Sequence, residues 1–109
     1  MARVPVDVNP DTSSCNPSTA YADQGKPSIF MFTLLNSSQW DWQGTSPVTV
    51  PTGQAQFAAS FIHPNGNKVV LFDKNTDGAS NPPAYKYTVT VINRATQQSK
   101  TIDPFIQNR

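Results

Sequence analysis

Tyr85-Lys86-Tyr87-Thr88-Val89-Thr90-Val91-Ile92 is the stretch whose reading decides the fold. Tyr85, Tyr87, Val89 and Val91 fall on one parity and Lys86, Thr88 and Thr90 on the other. That period of two, in aromatic and β-branched residues, predicts a strand with one apolar face. Asn81-Pro82-Pro83 before it and Asn93 after it mark its ends. A strand of this kind requires a sheet with one buried side and a second layer to cover it.

Working outward, residues 28–36 place Ile29, Met31, Thr33 and Leu35 on one side and Phe30, Phe32 and Leu34 on the other. Both faces are apolar, which predicts a central strand covered on both sides. Val4, Val6 and Val8 alternate with Arg3, Pro5 and Asp7; Pro5 cannot donate to a ladder, so this segment is expected at a sheet edge. His63-Pro64-Asn65-Gly66-Asn67 is a turn, and it predicts an antiparallel hairpin of residues 54–62 with residues 68–72. In the first arm Ala55, Phe57, Ala59 and Phe61 are expected on one face. Short strands are expected around Val48 and Val50, where Pro47 and Pro51 keep them at an edge, and over residues 100–106. The expectation is an all-β chain, residues 1–109 as a single domain, folded as an immunoglobulin-like sandwich of two antiparallel sheets with about seven strands.

Composition points the same way. The chain has 109 residues, ten prolines and no glutamate, so turn formers abound while strong helix formers are scarce. Its net charge of +1 comes from dispersed residues, and no basic patch is available to follow a phosphate backbone; nucleic acid is not an expected partner. Cys15 is the only cysteine, so no intrachain disulfide can form. No run is long enough to span a bilayer as a helix and the first residues lack an apolar signal core. Membrane is therefore not an expected partner, and the default compartment is the cytoplasm, or the exterior if a leader has been removed. Asn36-Ser37-Ser38 is a glycosylation acceptor that would matter only in the second case.

Two stretches carry candidate sites. Asp73-Lys74-Asn75-Thr76-Asp77-Gly78 matches the opening of a calcium loop, with Asp73, Asn75 and Asp77 as oxygen ligands. The twelfth position of such a loop is Ala84, where a bidentate glutamate is needed, and the competing reading is a surface turn in which Asp and Asn bond their own backbone. Calcium is the one cofactor the residues leave open; otherwise none is expected. Trp40 and Trp42 point the same way in an extended segment and form either a stacking platform for carbohydrate, with Gln39, Asp41 and Gln43 around it, or a lid on the core. His63 and Cys15 are single, which excludes a two-His copper site and a structural zinc site built from this chain alone. A nucleophile activated by His63 would need Cys15 or a serine, and nothing marks an oxyanion hole.

The segment Tyr85 to Val91, followed by Ile102-Asp103-Pro104-Phe105-Ile106, resembles the closing part of small bacterial β-sandwich proteins. It is similar to the tail of the AidA/PixA-type inclusion-body proteins and to short proteins named for a DP–EP motif. Without glutamate this chain lacks the EP half. The resemblance implies a bacterial β-sandwich and carries over no catalytic residue. Together these readings predict a non-enzymatic structural or protein-interaction module that self-associates or binds a partner through a sheet edge, with a carbohydrate- or calcium-binding module as the alternative.

Overall fold

The computed structural model describes residues 1–51, 55–76 and 84–109. These form twelve strands: β1 (Ala2–Asn9), β2 (Ser14–Asn16), β3 (Thr19–Tyr21), β4 (Ser28–Leu34), β5 (Trp40–Trp42), β6 (Val48–Thr49), β7 (Phe61–Ile62), β8 (Lys68–Asp73), β9 (Ala84–Lys86), β10 (Thr88–Asn93), β11 (Ser99–Ile102) and β12 (Phe105–Gln107). They make a five-stranded sheet in the order β2-β1-β4-β8-β7, a four-stranded sheet in which β10 pairs with β11 on one side and with β5 and β6 on the other, and a three-stranded sheet β3-β12-β9.

The expected two-sheet, seven-strand immunoglobulin-like sandwich is therefore overturned: the chain is all-β, but it forms three sheets, and β1–β4 and β3–β12 are parallel pairs. Part of the difference has a simple physical cause. The expected long strand at Tyr85 and its partner are each cut in two, as β9 and β10 and as β12 and β11. Register does not slip across the cut, because Val89 lies opposite Ile102 and Lys86 opposite Phe105. Between them Tyr87 N donates to Pro104 O at 3.0 Å, but Pro104 has no N–H to return the bond, so the ladder is interrupted there. One bent hairpin thus serves two sheets.

The inward faces share one core. Val6 and Val8 from β1, Phe30, Phe32 and Leu34 from β4, and Val69 and Leu71 from β8 meet Trp40, Trp42, Val48, Val89, Val91 and Ile102 from the four-stranded sheet and Ala20 and Ile106 from the three-stranded one. Tyr87, wholly buried at the bend, packs its ring against Phe32 at 5.3 Å between centroids and so ties the bend to the five-stranded sheet. The alternation read from residues 85–91 holds, with Tyr87, Val89 and Val91 buried. Strand β4 is central in its sheet, yet only one of its faces is fully covered; Ile29, Met31 and Thr33 stay half-buried. Pro5 sits where β1 has a single neighbour, since β2 reaches only residues 7–9 of β1.

The hairpin around residues 63–67 forms with a change that flips one side chain. Phe61 lies opposite Val70, but Phe57 lies opposite Asp73, so the first arm has one more residue than the second over the same distance. That β-bulge at Ala59 and Ser60 moves Phe57 inward and Phe61 outward, although both share one parity in the sequence. The bulge is held by Ser60, whose Oγ donates to Val48 O at 2.6 Å and accepts from Val48 N at 3.1 Å. A buried hydroxyl there takes the place of a missing strand neighbour.

Candidate functional site

Both indoles of the expected aromatic platform lie in the core: Trp40 is 8% exposed and Trp42 is 4% exposed. Neither ring offers a free face to a sugar. Trp40 Nε1 donates to Asp11 Oδ1 at 3.1 Å, and Lys100 lies over its ring while donating to Pro10 O. Asn36 Nδ2, the atom a glycan would occupy, donates to Asp11 Oδ2 and Gln39 Oε1. Hydrogen bonds from Asn36 and then Trp40 hold the Asp11 carboxyl below its ordinary pKa.

Of the three expected metal ligands, Asp73 and Asn75 are placed and Asp77 lies outside the described residues. Both placed residues are buried, and they are built into a knot of backbone contacts. Asp73 Oδ1 accepts from Asn75 N, which is the Asx turn of the competing reading. Asn75 Nδ2 faces the carbonyls of Asp23, Lys26 and Arg109 at 2.6–2.9 Å, and its Oδ1 accepts from Arg109 N. The amide is thereby committed to joining the 23–26 turn, the segment after β8 and the segment after β12.

Cys15 and His63 lie at opposite edges of the five-stranded sheet, in β2 and just beyond β7. Four interstrand steps of ~4.8 Å set them about 19 Å apart, too far for a nucleophile and its base. Cys15 is buried opposite Val8, and burial pushes its thiol up to about 11. Among the remaining aspartates, Asp41 pairs with Arg94 at 3.5 Å, and Asp103 accepts from Thr88 Oγ1 while meeting Lys86 at 4.0 Å. No group of three or more His, Cys, Asp or Glu side chains suited to one metal ion occurs among the described residues. No helix among them is long and apolar enough to cross a membrane.

The feature that packing leaves unexplained is the outer face of the five-stranded sheet. Residues directly opposite one another across a sheet share a face, and the pairing sets Pro5, Met31, Val70 and Phe61 in one row across β1, β4, β8 and β7. On one side of that row Arg3, Ile29 and Phe72 form the next, and on the other side Asp7, Thr33 and Lys68. Lys68 Nζ reaches Thr33 Oγ1 at 3.4 Å, which fixes this third row on the outer side. Phe61 is 54% exposed, and Met31, Ile29 and Phe72 are only half-buried. An apolar band flanked by charges of both signs, Arg3 and Lys68 against Asp7, is the character of an interaction surface. Pattern reading missed it because parity assigned Phe61 to the side of Phe57, and no residue type announces where a bulge will fall. No family model matches the chain, and comparison with curated proteins found no match.

Proposed function

We propose that the chain is a noncatalytic interaction module that associates with a second copy of itself through the outer face of the five-stranded sheet. The observation that carries this reading is the Pro5, Met31, Val70, Phe61 row, with Phe61 more than half exposed at the edge strand. Large aromatics exposed on a flat sheet gain free energy only when something covers them. A second copy suits the face because Arg3, Asp7 and Lys68 give it charges of both signs, so it does not repel itself. Four strands and three rows span a footprint of about 400–500 Å² per copy with side chains included, below the ~800 Å² per partner of a standard interface, so the association is expected in the micromolar range.

Sedimentation equilibrium over about 10 μM to about 1 mM tests this, the range following from the small footprint. A reversible dimer is expected, together with a shift to monomer in Phe61→Asp while the thermal midpoint stays unchanged. A wild type that is monomeric throughout, or a Phe61→Asp variant that dimerises equally well, would overturn the reading.

A further inference from the structure

We infer that the two copies pack about a two-fold axis that lies along the Pro5, Met31, Val70, Phe61 row, perpendicular to the strands, so that Arg3 of each copy meets Asp7 of the other. This rests on the self-association proposed above and adds the geometry and the residues that select the partner.

Two surfaces facing each other across an isologous interface are related by an axis lying in the interface. On the outer face the described residues form a grid of three rows across four strands. An axis along the middle row exchanges the two outer rows and leaves every strand over its own counterpart, so the whole grid overlaps. Arg3 and Asp7 stand on the same strand, one in each outer row, both exposed. That axis therefore sets a guanidinium opposite a carboxylate twice per dimer. Lys68 is carried over Phe72 of the other copy, where a cation meets an aromatic face. Phe61 and Met31 are each carried onto their own counterparts, which covers the most exposed aromatic.

An axis parallel to the strands does less. Placed midway between β4 and β8, it overlaps all four strands but sets Asp7 against His63, which lies opposite Lys68 beyond β7, and leaves Arg3 with no carboxylate. Placed along β4, it sets Asp7 against Lys68 and leaves Phe61 beyond the partner's β1. Only the first arrangement uses both Arg3 and Asp7 and buries Phe61 as well. The two charges do not satisfy each other within one copy, since four residues of strand separate them by about 13 Å.

Charge exchange tests the axis. Arg3→Asp sets two carboxylates face to face at each contact, and Asp7→Arg sets two guanidinium groups face to face. Each single variant is expected to weaken the dimer about tenfold or more, and Arg3→Asp/Asp7→Arg to return to within about threefold of wild type, because two surface pairs change sign per dimer. All three changes lie on an exposed surface, so equal thermal midpoints under dilute, monomeric conditions show that the fold is intact. If the wild type dimerises and the double variant is no tighter than the singles, the axis is wrong while self-association stands. If the wild type does not dimerise, both proposals fall.

Discussion

Replacing Asn75 by alanine probes a side chain that joins three separate segments of the chain. Asn75 is 5% exposed, its Nδ2 is shared among the carbonyls of Asp23, Lys26 and Arg109, and its Oδ1 accepts from Arg109 N. Alanine removes all of these bonds and keeps the one from its own N–H to Asp73 Oδ1. Arg109 O retains the bond from Gly25 N, Asp23 O that from Lys26 N, and Lys26 O that from Ser28 Oγ at 3.4 Å, so the group that loses its partner is the Arg109 N–H. At ~1–3 kcal/mol for a group left without a partner, the Arg109 N–H costs about 1–3 kcal/mol. The backbone adds to this: Asn75 has φ 51°, a left-handed conformation that asparagine tolerates and alanine resists by about 1 kcal/mol. The expected loss is about 2–4 kcal/mol, large beside a typical domain stability of ~5–15 kcal/mol. Urea denaturation followed by fluorescence of the buried Trp40 and Trp42 measures it. Asn75→Gly lacks the amide without the backbone cost and should be less destabilised than Asn75→Ala by about 1 kcal/mol. An Asn75→Ala variant within about 1 kcal/mol of wild type would refute the reasoning, because then the amide is not holding the three segments together.

Further predictions concern pH. Burial raises the Cys15 thiol from 9.0 to about 11, so the neutral thiol is favoured in the fold; stability is intact below pH 9 and declines as pH rises from 9 to 11. The two-unit difference corresponds to about 2–3 kcal/mol, and burial raises the Tyr87 phenol in the same direction. Urea midpoints taken from pH 7 to 11 should fall in that window, and less steeply in Cys15→Ala; a flat profile would show that the thiol is hydrated. At the acid end, Asp11 is held below its ordinary 3.8 by Asn36 and Trp40, so its contribution is present above that value and lost as pH falls through the lower folded value. Thermal midpoints between pH 2 and 5 should fall more steeply in wild type than in Asp11→Asn, and identical slopes would remove Asp11 from the acid response.

Much of the candidate surface was legible in part. The central place of β4 followed from Ile29, Met31, Phe30 and Phe32, and the half-buried pair on its outer side was already conspicuous as apolar. Trp40 and Trp42 carried two readings in the sequence, and the choice between them depended on tertiary packing, in which β5 pairs with β10 and both indoles join the one core. Asn75 likewise read as ligand or turn. Its actual partners, Asp23, Lys26 and Arg109, are between 34 and 52 residues away in the chain and no local pattern could supply them.

The sequence by itself determined what is periodic: the alternation over Tyr85 to Val91, which the structure divides between β9 and β10, the strands at Val4 to Val8 and Phe30 to Leu34, the turn at Asn65-Gly66, and the absence of helix-forming composition. These follow from steric preference and alternation, which act over a few residues. Only the tertiary structure decided how the strands divide among sheets, that β1 runs parallel to β4, and that Pro104 breaks one hairpin into two sheets. It also decided the bulge at Ala59 and Ser60, which depends on Ser60 finding Val48 on another strand. That single inserted residue turned Phe61 from the core to the surface, because a strand's side-chain period is two and a shift of one reverses its faces.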